Sequence, residues 1–369
     1  MSRVTVFGGG NGGMTMAYHL SRNGHEVCVY DFPDYPIQIE GMTEKGGIRA
    51  LREHDGNQML LDGFEGNIKG TFDMDEAMEF SDIYIIICPS FAQERFFSAM
   101  IPNLRMDAIV ITLPGNYASL VFSRMLKEAG KEDLHIHFAD GTTIPWACRL
   151  AAPAEICIMG LKTSIPLSIY PKDHSGEVLK RIGMVMPIPV ELLDNPLVAG
   201  LENINIGGHP LYATVNMGLL ENFPGKFNYY KDCCSPATGR ASERLDKEKI
   251  SVGEGFGFTV RSDIELVNRL YGMNERNSYE FNIHSSVHGK INNSPKDSKD
   301  RYITEDIPYT MVPIHEFADF LNIEVPIADS CIHLASAYND EDYFKTGRTL
   351  MKMGLNGLCR EELIRVVSK

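Results

Sequence analysis

The sequence predicts an α/β domain built on a mostly parallel, doubly wound sheet, followed by a largely α-helical domain. Three observations carry this. Short β-branched apolar runs alternate with helix-like segments over the first half of the chain. A cluster of glycines closes the first of those runs. Beyond about residue 190 the strand signals fade and helix-like periodicity takes over. The expected domains are therefore 1–190 and 191–369.

Composition narrows the function. The 369 residues hold 35 Lys plus Arg against 49 Asp plus Glu, a net charge of −14. Phosphate-backbone binding needs clustered cations, so the charge balance argues against nucleic acid as a partner class. An anionic membrane surface is disfavoured for the same reason. Hydrophobic residues at 44% and charged residues at 23% are ordinary for a globular chain. The N-terminus MSRVTVFGGG shows no secretory pattern. The longest apolar runs fall well short of the ~20 residues of a membrane span. Eight cysteines without a CxxC pair fit reduced thiols in a cytoplasmic protein. No His, Cys, Asp or Glu set has metal-ligand spacing, so no metal is expected. His284 and His288, four apart, lack a third ligand nearby.

Arg3 to Phe7 reads as the first strand and Met14 to Arg22 as the first helix, with apolar residues at Met14, Ala17, Tyr18 and Leu20. Glu26 to Tyr30 reads as the second strand. Asp82 to Cys88 and Ala108 to Leu113 are continuous apolar runs, the pattern of strands buried on both faces. Leu134 to Phe138 and Ile156 to Gly160 add two more. His135 and His137 would face one side of that strand. Alternation of strands with helices implies right-handed parallel crossovers. Pro187 to Pro196, with three prolines in ten residues, reads as a linker. Helix-like stretches follow at Pro196–Glu221, Ala241–Phe256, Asp263–Tyr271, Val312–Leu321, Pro326–Tyr338 and Gly347–Met353. Asn274 to Asp300 has little periodicity and reads as a loop or lid.

The glycines fit G-x-G-x-x-G at Gly8, Gly10 and Gly13, with Asn11 and Gly12 between them. The motif follows a strand and opens a helix, the context of a Rossmann dinucleotide site. Gly8 permits the tight turn, Gly10 the approach of a pyrophosphate, and Gly13 close packing of helix on strand. The helix N-terminus offers N–H groups and a partial positive charge. Asp31 ends the second strand 23 residues after Gly8, where an acid accepts from a ribose 2′-hydroxyl. NAD(H) is therefore preferred, with NADP(H) also open; FAD shares the fingerprint. Pro89, Ser90 and Phe91, and Pro114, Gly115 and Asn116, end buried strands on the edge where such sheets bind ligands.

In the second domain His209 is the strongest acid/base candidate, because imidazole titrates near neutral pH. Just past the linker, it would sit at the mouth of an interdomain cleft. Asn205, four residues earlier, shares its face if the segment is helical. A helix-packing histidine stays open as the alternative. Arg301 offers a planar fork for a substrate carboxylate. Asp306 is placed to orient His209, although spacing leaves a surface ion-pair cluster equally open.

The sequence resembles the opine dehydrogenases of octopine/nopaline type over nearly its whole length. The likeness lies in GGGNGG at 8–13, PSFAQE at 89–94, LPGNYASL at 113–120 and TTIPWACR at 142–149. It continues in the Asn205 to Pro210 element, RYITEDIPYTMVPI at 301–314 and GRTLMKMGL at 347–355. The resemblance implies that His209 is the acid/base, that Asp306 partners it and that Arg301 binds carboxylate. It implies a reductive condensation of an amino acid with a 2-oxo acid such as pyruvate, through an imine reduced by NAD(P)H, and its reverse. Departures from the family occur at Asp140-Gly141-Thr142 and Asp246-Lys247-Glu248-Lys249. The Tyr230 to Arg244 stretch, with Cys233 and Cys234, is also unusual. Two other readings are a 2-hydroxyacid or ketopantoate-reductase-like enzyme, and a non-catalytic dinucleotide sensor. The partners expected are small-molecule substrates, with a homodimer as an open option.

Overall fold

The computed structural model describes all residues except 174 and 291–293, and it divides into two compact units. The first comprises residues 1–196 with the last two residues, and the second residues 197–367.

The first unit is built on eight strands: β1 (Arg3–Phe7), β2 (Glu26–Tyr30), β3 (Ile68–Thr71), β4 (Ile83–Ile86), β5 (Ile109–Thr112), β6 (His137–Gly141), β7 (Ile165–Tyr170) and β8 (Val190–Leu192). Their spatial order is β8-β7-β6-β5-β4-β1-β2-β3. All neighbours run parallel except β6 and β7. The order reverses between β1 and β4, so a crevice opens at their carboxyl ends, where dinucleotide sites form. Both sheet faces are buried, which explains the uninterrupted apolar runs. Val4, Val6, Val29, Ile85 and Ile111 point to one face. Phe7, Tyr30 and Tyr84 point to the other, in ring contact among themselves and with Phe96.

Ile156 to Gly160 does not join this sheet. It lies in a second sheet of four strands, Trp146–Ala152, Glu155–Leu161, Ile48–Ala50 and Gly63–Glu65, mostly antiparallel. The helix Asn11–Arg22 packs between the two sheets and is buried from Gly12 through Leu20. A helix covered on both sides needs no polar face, so its apolar stripe understates its burial. The Trp146 indole N–H donates to His19 Nδ1 at 2.6 Å, tying helix to second sheet. Burial holds His19 down at about 4, so it accepts as the neutral ring. Leu134 closes a turn and His135 has φ 51°, so the sixth strand begins only at His137. The two histidines therefore share no strand face.

The proline-rich stretch 187–196 is more than a linker, because β8 within it pairs with Ile165–Leu167. The units consequently divide at Pro196, six residues beyond the expected boundary.

The second unit is helical. Its longest element, Pro236–Phe256, carries a capping box between Ser235 and Thr238 and ends on Gly257 at φ 84°. Helices Val312–Leu321, Pro326–Asn339, Asn205–Gly208 and Ser278–His284 pack on it. The expected helix over 196–221 is four short helices, Pro196–Leu201, Asn205–Gly208, Pro210–Val215 and Met217–Asn222. Pro210 lacks the N–H that would continue the ladder past His209. Gly347–Met353 forms turns, and the last helix is Arg360–Val367. Among the described residues no helix is long and apolar enough to cross a membrane.

A Cβ built on Gly13 would lie 1.8 Å from the Gly8 carbonyl oxygen, whereas one on Gly10 meets nothing within 4 Å. Gly13→Ala should therefore lower the melting temperature by several degrees, reflecting an overpacking cost of about 1–3 kcal/mol or more. Gly10→Ala should melt within about a degree of the parent. Equal melting temperatures for the two variants in calorimetry would contradict this packing.

Candidate active site

The first unit gathers part of the expected dinucleotide site around one cavity of about 570 Å³. Gly8, Gly9, Gly10, Asp31, Pro89 and Phe91 line it. Gly8 has φ 106°, and a Cβ there would stand 2.5 Å from the Ile87 carbonyl oxygen, so the turn admits only glycine. Gly10 caps the Asn11–Arg22 helix with no side chain bonded over the first turn. Its open surroundings leave room for an anion at the helix N-terminus. Asp31 Oδ2 accepts from Gly9 N at 2.7 Å and Oδ1 from Phe32 N at 2.8 Å. Burial raises its carboxyl, against the pull of these N–H groups. Each oxygen keeps a lone pair for a hydroxyl donor. Arg95 stacks on Phe32 at 3.9 Å and pairs with Asp34 at 2.6 Å, making a flat cationic wall. These features fit a dinucleotide.

Other expected contacts serve the scaffold. Asn11 Oδ1 accepts from Leu150 N at 2.8 Å, so this side chain clamps the glycine turn to the second sheet. Gly12 and Gly13 are packing positions against Ile87 and Gly8. Asn116, at φ 50°, donates to Ser90 Oγ at 2.8 Å. Gln93 donates to the carbonyl of Pro114, whose bond to Leu113 is cis. A Cβ on Gly115 would meet Asp140 at 2.4 Å. Ser90, Pro114, Gly115 and Asn116 thus join the β4 and β5 ends, outside the cavity lining. Asp140 accepts from both the N–H and the hydroxyl of Ser119. That departure from the family pattern anchors a helix start.

The second unit brings His209, Asp306 and Arg301 together. His209 lies between two short helices, 5% exposed. Its N–H donates to the Asn205 carbonyl at 2.9 Å, a helical spacing. Asn205 therefore shares the turn, and its backbone N–H donates to Asn203 Oδ1 at 2.9 Å. Nδ1 lies 2.8 Å from Asp306 Oδ2. With Asp306 ionised, Nδ1 donates to it and Nε2 keeps the lone pair. Nε2 is 2.9 Å from the Tyr230 hydroxyl, itself 3.2 Å from that of Tyr302. The Tyr302 ring stacks on the imidazole, centroids 3.7 Å apart and planes 9° apart. Tyr229 donates to the His209 carbonyl at 2.7 Å. Burial pushes the Asp306 carboxyl up to about 7, and the Arg301 guanidinium opposes it. Arg301, half-exposed, pairs with buried Glu305 at 3.3 Å.

Asp306 precedes a π-helical turn, Ile307–Met311, in which Pro308 cannot donate to the ladder. The widened turn follows the short helix Arg301–Thr304, so Arg301 and Asp306 are presented by different local geometries. Lys249, at another departure from the family pattern, is fully buried and pairs with Asp246 and Asp263. A Cβ on Gly207 would strike Asp263 at 2.4 Å. This ion cluster thus braces the turn that carries His209. Glu248 accepts from Ile327 N and Ala328 N. His284 and His288 diverge, the first to Glu275 and the second to Ser285.

Sequence reasoning did not select Tyr230 or Tyr302. Tyr302 stood beside Arg301 in a quoted element, and Tyr230 opened the stretch that looked unusual.

Residues 192–339 match the model of the NAD/NADP octopine/nopaline dehydrogenase α-helical domain. Residues 3–137 match that of the NAD-dependent glycerol-3-phosphate dehydrogenase N-terminus. An opine dehydrogenase from Arthrobacter sp. (strain 1C) is 28% identical over 354 residues, covering 96% of this chain and 95% of that protein. An octopine dehydrogenase from Pecten maximus is 24% identical, covering 94% and 92%. A solved octopine dehydrogenase with NADH and L-arginine superposes with a TM-score of 0.77 at 22% identity, covering 100% and 98%. The first unit is thus an NAD-binding Rossmann-like domain and the second an α-helical domain of this type.

Asp31→Ala should raise the Kd for NADH about tenfold or more, the scale of a hydrogen bond to a charged group. The Kd for NADPH should rise less. Fluorescence titration gives both constants, and an unchanged NADH/NADPH ratio would remove Asp31 from the ribose.

Proposed function

The chain belongs to the opine dehydrogenase family, of octopine/nopaline type, and is an NAD(P)-dependent oxidoreductase acting on CH–NH groups; on that premise we propose which residues carry the reaction. The observation that carries the proposal is the buried His209–Asp306 pair beside a half-exposed Arg301. The substrates are an amino acid and a 2-oxo acid such as pyruvate. The amine adds to the carbonyl, water leaves, and the imine becomes a secondary-amine dicarboxylate.

When bound, the dinucleotide supplies the hydride that reduces the C=N bond. Arg301 holds a substrate carboxylate in its planar fork, and Glu305 limits the rotamers open to that fork. His209, as imidazolium, provides from Nε2 the proton that lets the carbinolamine hydroxyl depart as water. In the reverse direction the neutral ring takes it back. Asp306 keeps Nδ1 protonated and offsets the imidazolium charge. Burial disfavours the ionised Asp306 carboxylate and the Arg301 guanidinium favours it, so Arg301 helps Asp306 to serve as the acceptor for Nδ1. The glycine turn and helix N-terminus hold the pyrophosphate, and Asp31 the ribose. Cys28, Cys157, Cys233, Cys234, Cys331 and Cys359 are free thiols, which supports a cytoplasmic location.

NADH oxidation in the presence of pyruvate should depend on added amino acid, and mass spectrometry should find the secondary amine. Oxidation with pyruvate alone would instead mark a C=O reductase. His209→Ala should lower turnover about 10²–10⁴-fold, the usual scale for general acid–base groups; near-parental turnover would sink its role. Arg301→Ala should mainly raise the KM for a carboxylate substrate, and an unchanged KM would remove it from the site.

A further inference from the structure

We propose that Tyr230 is the proton-transfer residue between His209 and the substrate, so that the acid/base unit is the chain Asp306–His209–Tyr230. The proposal rests on the reading of His209 given above and extends it by one residue.

Every polar position of the His209 ring is engaged. Nδ1 faces Asp306 at 2.8 Å and Nε2 faces the Tyr230 hydroxyl at 2.9 Å. One ring face is covered by Tyr302. With both nitrogens within hydrogen-bond distance of a side chain, the imidazole of His209 (5% exposed) meets a reacting atom through one of those partners, and Tyr230 (7% exposed) is the one on Nε2. The proton that His209 exchanges therefore passes through the oxygen already on Nε2. Tyr230 is held for this. It sits in the short helix Tyr229–Asp232, whose start is capped by Asn228. Its ring meets that of Tyr229 edge-on at 5.2 Å and that of His288 at 4.6 Å. Its oxygen also has the Tyr302 hydroxyl at 3.2 Å. Arg301 lies within electrostatic reach of Tyr230, with its guanidinium 5.5 Å from the Tyr302 ring centroid. A carboxylate held on Arg301 thus lies beside the Tyr302 ring, whose hydroxyl is 3.2 Å from that of Tyr230.

The step balances without any further reagent. In the condensing direction His209 begins as imidazolium and Tyr230 as the neutral phenol. The Tyr230 O–H proton moves to the carbinolamine hydroxyl as its C–O bond breaks, releasing water. The Nε2 proton moves to the Tyr230 oxygen, which ends as the phenol again, and His209 ends neutral. Two protons move, and no charge is left on the tyrosine.

Tyr230→Phe keeps the ring contacts and removes only the oxygen. Single-turnover measurements with NADH, pyruvate and an amino acid should show a rate lowered by about 10²-fold. The KM values and the Kd for NADH should stay within about threefold of the parent, since uniform binding is untouched. The proton inventory in H₂O/D₂O mixtures should be curved in the parent, where two protons move, and linear in the variant. A Tyr230→Phe rate within about threefold of the parent, or a loss confined to KM, would overturn the relay. His209→Ala run alongside separates the two levels. If it is inactive while Tyr230→Phe is unimpaired, the relay fails and the His209 reading stands. If both are active, the reading of the site itself fails.

Discussion

A buried imidazole with both nitrogens satisfied is the constraint around which the helical unit is arranged. An unpaired polar group in such a place costs about 1–3 kcal/mol, and more once charged. The partners come from distant parts of the chain, Asp306 lying 97 residues after His209. Holding them within hydrogen-bond distance demands rigid support on each side. The His209 turn rests on Asp263 and Lys249 through Gly207, and its carbonyl is pinned by Tyr229. The Asp306 side is set by a proline-interrupted π turn. Cations and carboxylates that looked peripheral in the sequence are therefore the struts of this arrangement.

In the sheet unit the corresponding constraint is closeness rather than charge. Backbone meets backbone at Gly8 and Gly13 with no room for a methyl group. That contact presses the helix start toward the crevice, and the second sheet holds it there through Asn11 and Trp146. The two cations near the candidate binding surfaces follow a common plan. Arg95 is leashed to Asp34 and Arg301 to Glu305. A leash of this kind narrows the orientations of a long side chain before any anion arrives. It also explains how a chain of net charge −14 can present positive groups to anionic ligands without a basic surface.

The glycine motif, Asp31 and the buried strands were legible because each rests on local rules: turn conformation, strand period and spacing along one βαβ unit. His209, Asp306 and Arg301 were legible as chemistry, and their convergence came from the family resemblance rather than from spacing. What escaped depended on tertiary context. Ile156–Gly160 has the same apolar texture as the main-sheet strands, and nothing local distinguishes a strand of the second sheet. The 196–221 stretch has helical periodicity, while Pro210 and the packing around His209 break it into short pieces. Tyr230 opens a stretch that stood out only as a departure from the family pattern, and only the fold turns its hydroxyl onto Nε2. The family departure at Lys249 had no structural role visible in the sequence, and the fold makes the lysine a buried ion-pair partner of Asp246 and Asp263.

The chain has a single tryptophan, Trp146, and it lies in the sheet unit with its indole bonded to His19. The helical unit, by contrast, is rich in tyrosine and contains no tryptophan. Indole emission excited near the red edge of the absorption band is thus a private channel for one half of the molecule. It reports the clamp between the glycine-turn helix and the second sheet, while far-ultraviolet dichroism is weighted towards the helices of the other half. Comparing the two signals during denaturation shows whether the halves melt together or in sequence. The placement of one side chain makes that distinction available without any label.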